Sequence, residues 1–136
     1  MANMKLEIKR GTDHIDWEDV CQMLEQASLG RRDPARLRRA AENSYSVCSA
    51  YDGETIVGFG RAISDGEYQS AIYDMVVLPE YQGKQVGEAI MKTLLDQLPR
   101  GIIMIYVVRG KEGFYGKFGF WELDTGMVKF HNPGER

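Results

Sequence analysis

Residues 84–98, KQVGEAIMKTLLDQL, place Val86, Ile90 and Leu94 in one stripe, with Met91, Leu95 and Leu98 beside it. That spacing predicts an amphipathic helix. Before it lies the strand-like run QSAIYDMVVL (69–78), and after it the continuously apolar IIMIYVV (102–108). A run that is apolar at every position suits a strand buried on both faces. A strand, a helix and a second strand in this order argue for a right-handed crossover, which lays the two strands parallel.

The remaining pattern supplies mostly antiparallel partners. LEIKR (6–10) alternates as a strand does, and 16–28 holds Val20, Met23, Leu24 and Ala27 at helical spacing, with Asp16 as N-cap and Gly30 as stop. A second helix is predicted over 33–43, capped by Asp33 with Pro34 at its first position. Strands at 44–52 and 55–64 meet at Asp52-Gly53, a hairpin signal, and a second turn at 64–68 leads into the strand 69–78. Pro99-Arg100-Gly101 ends the long helix, 110–120 reads as a short glycine-bounded helix, and GMVKFH (126–131) as a last strand. The expectation is a single domain, 1–136, of the α+β class, with a mixed, mostly antiparallel sheet flanked by helices and one parallel pair.

The charge balance excludes several partners. With 27% charged residues and a net charge of -3, nothing attracts nucleic acid or an anionic membrane in bulk. No apolar run approaches the roughly 18 residues of a spanning helix. The N-terminal residues lack the apolar core of a signal peptide, and Cys21 and Cys48 have no CxxC partner. Reduced thiols and a cytoplasmic location are therefore expected. With only His14 and His131, no metal site is expected either.

Chemistry is most legible at 82–88, QGKQVGE, where a strand gives way to glycines and then a helix. The first N–H groups of a helix lack internal partners, the helix dipole adds partial positive charge, and small residues admit a phosphate to the backbone. Lys84 adds a full charge. A phosphate or pyrophosphate cradle is one reading; a tight turn with close helix–sheet contact is the other. The Walker pattern GxxxxGK[ST] is absent, and GFGRAI (58–63) lacks the third glycine of GxGxxG.

Here the chain resembles a known family. YDMVVLPEYQGKQVGEAIMKTLL is similar to the acetyl-CoA-binding core of the GNAT superfamily of N-acetyltransferases, whose Q/R-x-x-G-x-G/A signature reads Gln82-Gly83-Lys84-Gln85-Val86-Gly87. EGFYGKFGFWE (112–122) is similar to a second landmark of that family, and the predicted element order matches along nearly the whole chain. The departure is Gln85, where the family usually has glycine. The resemblance implies a GNAT-like sheet with a splayed parallel pair. It implies acetyl-CoA as co-substrate, held by the backbone of Met75, Val76, Val77 and Leu78, by Gln82, Gly83, Lys84, Gln85, Val86, Gly87 and Glu88, and by Phe114 and Tyr115. It also implies that Tyr115 protonates the departing thiolate, and it points to a homodimer as the assembly to test.

The acceptor amine must lose a proton before it attacks. Strand alternation puts Asp74 on the face of Ile72 and Val76, beside the sheet opening, so it is the candidate base; the alternative is a substrate-binding or structural aspartate. Arg31, Arg32, Arg36, Arg38 and Arg39 read first as a solvated face. Gln85 is expected within the first helical turn at negative φ, because a left-handed glutamine would be strained. The expected activity is acetyl transfer to a primary amine of a small molecule. The alternatives are a CoA-binding module without turnover and a protein or peptide N-acetyltransferase.

Overall fold

Gly53 takes the left-handed φ of +62° in the turn joining β2 (Ser46–Asp52) to β3 (Thr55–Ser64). The computed structural model, which describes residues 4–132, continues this meander into β4 (Gln69–Val77). β1 (Leu6–Arg10) lies outside β2 and β5 (Ile102–Ile105) outside β4, giving a five-stranded sheet in the order β1-β2-β3-β4-β5. The first three pairings are antiparallel. β4 and β5 are parallel, from Gln69↔Ile102 to Ile72↔Ile105, with the crossover made by α3 (Val86–Gln97).

The helix caps follow the sequence signals. α1 (Trp17–Gln26) begins at Asp16, whose carboxylate accepts from the amides of Glu18 and Asp19 at 3.0 and 3.3 Å. α2 (Pro34–Glu42) begins at Asp33, which accepts from the Arg36 amide at 2.9 Å. Each cap satisfies donors that the first helical turn cannot.

The helices cover opposite faces of the sheet. Trp17, Val20 and Leu24 of α1 and Leu37 and Ala41 of α2 pack with Val47, Phe59 and Val76 from the strands; Trp17 meets Phe59 edge-on, with ring centroids 5.9 Å apart. α3 covers the other face with the fully buried Ile90, Met91 and Leu94. It comes close because the floor beneath it is glycine. A Cβ at Gly58 would lie 2.6 Å from Ile90 Cδ1, and one at Gly60 3.0 Å from Leu94 Cδ1.

β4 contains an irregularity that alternation did not foresee. Arg61 pairs with Tyr73 and Phe59 with Val76, so Gly60 alone stands opposite both Asp74 and Met75. Asp74 adopts φ +57°. This is a β-bulge, and it reverses the facing of everything after it. Ile72 pairs with Ala62 and shares its face with α3, whereas Val76 pairs with Phe59 on the α1/α2 face. Asp74 therefore does not share a face with both Ile72 and Val76.

Other expectations also need correction. The strand expected over 102–108 ends at Ile105, and 126–131 forms no strand. An alternating pattern makes a strand only where a ladder partner exists, and Met127 and Val128 are left exposed. The helix expected from 84 starts at Val86 and is preceded by a 3-10 turn over Pro79–Tyr81. The chain divides into two compact units, one ending at Tyr106 and the other beginning at Val107. The sheet and its three helices belong to the first. The second contains α4 (Glu112–Gly116).

Candidate active site

Pairing between β4 and β5 stops at Ile72 and Ile105. From Tyr73 to Val77, β4 has β3 on one side and, among the described residues, no strand on the other. That open edge can accept an extended ligand as an added strand. Met75, Val76 and Val77 lie along it. The Leu78 amide is already used, donating to Val57 O at 2.9 Å. Gln82 folds back on the same segment, and its Nε2 donates to the Val77 carbonyl at 3.1 Å.

Beyond β4 the chain passes through the glycine-containing loop 82–85 into α3. α3 makes its first bond from the Ala89 amide to Gln85 O at 3.1 Å. The amides of Gln85, Val86, Gly87 and Glu88 are left without an intrahelical acceptor, at the positive end of the helix dipole. Gly83 has φ +77°, and a Cβ built on it would meet nothing within 4 Å. The backbone there is open to a bulky anion. Glu88 is the acidic residue of the first turn, where it favours the helix but shares its sign with a phosphate.

Gln85 contradicts the negative φ expected of it. It is the N-cap of α3 at φ +67° and ψ 12°, a left-handed conformation, and its side chain makes no cap hydrogen bond. Two left-handed residues, Gly83 and Gln85, flank Lys84. Backbone of this kind turns successive N–H groups toward one side, as in anion-binding nests. The glycine usual in the family thus meets a requirement of backbone handedness, which glutamine satisfies here under strain.

Lys84 and the turn before it are braced from the hairpin. Lys84 Nζ lies 5.5 Å from the centroid of the Tyr81 ring. Tyr81 Oη donates to Asp52 Oδ2 at 2.6 Å, and the Lys5 amide donates to Asp52 Oδ1 at 3.0 Å. The Tyr81 hydrogen bond, with the Lys5 amide second, holds the Asp52 carboxyl below its ordinary pKa. Neither Tyr81 nor Asp52 was singled out from the sequence as a site residue. A tyrosine two residues after Pro79 gives no hint of a partner 29 residues away.

Asp74 is not an exposed carboxylate. Its side chain is 5% accessible and lies between two guanidiniums. Arg32 donates through Nη1 to Oδ2 at 3.1 Å and through Nη2 to Oδ1 at 2.8 Å. Arg61 donates through Nε to Oδ2 at 2.7 Å. Burial pulls the Asp74 pKa up, but the hydrogen bonds and charges of Arg32 and Arg61 outweigh it and hold the carboxyl below its usual range. A general base needs the opposite shift. The bulge takes Asp74 off the face it would share with Ile72, and its two arginine partners suit a structural aspartate, not the base. Arg32, expected on a solvated face, turns inward. Arg31 and Arg38 remain exposed, pairing with Glu25 and Glu42.

In the second unit, Tyr115 lies on α4 and packs edge-on against Phe114 and Phe120, with centroids 5.0 and 6.4 Å away. Burial pushes its phenol pKa up, so the hydroxyl keeps its proton at neutral pH. That is the state of a proton donor. Among the described residues, no cluster of His, Cys, Asp and Glu could hold a metal ion, and no helix is long and apolar enough to cross a membrane.

Comparison with known proteins agrees with this geometry. The chloroplastic serotonin N-acetyltransferase 2 of rice (Oryza sativa subsp. japonica) is 31% identical over 88% of this chain and 64% of its own length. The histone acetyltransferase TAP1 of Glycine max is 28% identical over 85% of this chain and 55% of its own. The chain thus spans about half to two thirds of these two relatives. Among solved structures, a GNAT-family acetyltransferase from Streptococcus pneumoniae superposes with a TM-score of 0.78 and 26% identity, covering 94% of this chain and 98% of that one. The cytoplasmic expectation is overturned by the relatives: the rice protein is chloroplastic, as are two Arabidopsis thaliana relatives, each 29% identical. The family model described as "Acetyltransferase (GNAT) domain" matches residues 43–122, from before β2 to beyond α4, and the chain belongs to that family.

Proposed function

We propose that the chain is an acetyl-CoA-dependent N-acetyltransferase that acts on a primary amine of a small molecule. One observation carries the reading. The open edge of β4 leads, through the 3-10 turn over Pro79–Tyr81, into a loop whose unpaired amides and left-handed residues suit a pyrophosphate. The residues present fit acetyl-CoA. The amides of 83–88 would hold the pyrophosphate, Lys84 would add charge, and Met75 to Val77 would pair with the pantetheine arm. When bound, acetyl-CoA supplies an activated thioester.

By resemblance to the family, Tyr115, kept protonated by its burial, would supply the proton that the departing thiolate takes up. Asp74, paired with Arg32 and Arg61, holds the strand geometry and does not act as the base. The match to the family model runs through both compact units, which supports one acetyltransferase domain over 1–136. The chloroplastic relatives support a plastid location.

A panel of small amines, assayed with acetyl-CoA by thiol release, tests the activity. Turnover of at least one amine is expected. Tight CoA binding with no turnover of any amine would favour the binding module. The soybean relative's name favours a second reading, acetylation of a protein lysine, and histone-tail peptides belong in the same panel.

A further inference from the structure

Two separate segments of the chain converge on the Asp74 carboxylate. Arg32 comes from the α1–α2 connection, and its Nη2 also donates to Leu29 O at 3.2 Å. Arg61 comes from β3, and its Nη1 also donates to Ser44 Oγ at 3.3 Å, just before β2. Cys21 of α1 also feels the Asp74 charge, and its thiol is buried and neutral. At the centre is a residue with φ +57°, which aspartate tolerates better than most but still under strain. Such a conformation persists where its surroundings fix it. Here they do so with three charge-assisted hydrogen bonds, two of them a fork from Arg32.

We propose that Arg32 and Arg61 are positioning residues that act through Asp74: their guanidiniums lock its left-handed turn, and the turn fixes the bulge that aims the Met75–Val77 edge of β4 at the thioester end of bound acetyl-CoA. This rests on the acetyl-CoA reading given above. The bulge is the point where β4 reverses its facing, so its geometry sets which backbone groups the open edge presents. Val76, 5% exposed in the core, prevents a full slip of register. Loss of the clamp therefore shifts the edge locally. The hydrogen bonds and ion pairs of the two arginines go to Asp74, Leu29 and Ser44, not to the 83–88 loop, which keeps its amides. Misplacing a reacting group by about 1 Å can cost up to about a hundredfold in rate. The loss falls mainly in kcat, with at most a small change in CoA affinity from the Met75–Val77 edge.

The test uses the full chain with Arg32→Ala, Arg61→Ala and Arg32→Lys, and Arg38→Ala as a control on an exposed pair. Each alanine variant at the clamp is expected to lower kcat about tenfold or more while the Kd for CoA, by calorimetry, stays within about threefold, under roughly 0.7 kcal/mol. Arg32→Lys regains only part of the rate, because an ammonium cannot reproduce the fork. With Arg32 gone, burial acts on Asp74 against one guanidinium fewer, so kcat acquires a loss toward acid pH that the parent lacks over the same range. Amide hydrogen exchange at Met75–Val77, measured without ligand, is expected to quicken while that of β1 and β2 stays as in the parent. If an alanine variant does not fold, Arg32→Lys carries the same readouts. Folded variants with kcat within about twofold of the parent and unchanged exchange at Met75–Val77 overturn the proposal. If the parent itself acetylates no amine, the functional reading fails separately, and exchange alone decides the clamp: quickened exchange supports it and unchanged exchange overturns it.

Discussion

Tyr81 Oη and Asp52 Oδ2 meet at 2.6 Å, tying the turn before the cradle to the β2–β3 hairpin. The tyrosine is the donor, so the bond needs a neutral phenol and an ionised carboxylate. It holds Asp52 below its ordinary value of 3.8 and Tyr81 above its ordinary value of 10.0. Asp52 therefore stabilises the fold above the unfolded carboxylate pKa and loses that contribution as pH falls through its folded value. Tyr81 contributes below the unfolded phenol pKa and loses its share as pH rises through its folded value. Tyr81→Phe should weaken CoA binding by about two- to fivefold at neutral pH, through a looser turn at 79–82. Calorimetric titration with CoA checks this, and an unchanged Kd would leave the brace without a role in the cradle.

Gln85→Gly should stabilise the chain. At φ +67° glutamine carries a left-handed penalty of about 1–2 kcal/mol that glycine does not. Part of the gain is offset by the extra freedom of glycine in the unfolded chain. A rise of about 2–5 °C in Tm is expected, with a change in CoA affinity of less than about tenfold. Gln85→Ala should give no such rise, because alanine keeps the Cβ. A fall in Tm for the glycine variant in thermal unfolding would contradict the strain.

Asp74→Asn should destabilise by about 3 kcal/mol, because it leaves two partly buried guanidiniums without their anion. The folded pKa of Asp74 is depressed, so its contribution is complete above the unfolded carboxylate pKa and is lost as pH falls through the folded value. The Tm gap between parent and variant should stay constant from neutral pH down to about pH 5 and narrow below about pH 4. Thermal unfolding across that range measures it. A gap that does not change at low pH would show that the charge of Asp74 is not what stabilises the clamp.

Gly101→Ala should disrupt the start of the parallel pair. The Ile102 amide donates to Tyr68 O at 2.9 Å, and a Cβ on Gly101 would overlap that same carbonyl oxygen. The obstruction is backbone and cannot rotate aside. A loss of at least about 2 kcal/mol is expected in denaturant unfolding.

Tyr115→Phe should lower kcat about tenfold or more and leave CoA affinity unchanged, because it removes only a proton donor. Rapid-quench measurement of the chemical step decides it. A chemical step as fast as in the parent would assign Tyr115 to packing with Phe114 and Phe120.

The strands of the meander and the three long helices were legible because each is written in local spacing. The β3 run at 55–64 and the Asp16 and Asp33 caps depend on neighbours a few residues away. The bulge was not legible. Tyr73, Asp74 and Met75 read as ordinary alternation, and the arginine that shapes them lies 42 residues upstream in a basic run that resembles surface. Gln85 misled for a related reason: propensity favours right-handed backbone for glutamine, and only the alternation of left-handed residues around Lys84 overrides it. The GMVKFH pattern has the right period for a strand, but period alone does not supply a neighbour to pair with.

The glycine floor at Gly58 and Gly60 makes adaptation of this site one-sided. The α3 surface turned away from the sheet can drift in sequence without moving the helix. The surface beneath it can accept almost no added volume, since even one methyl at Gly58 meets Ile90 at 2.6 Å. A bulkier floor would lift the helix and carry its first turn, with the anion-binding amides, away from the end of β4. Variation in cofactor preference among descendants of this chain is thus channelled into the loop between Gln82 and Gln85, where side chains can change while the helix stays seated.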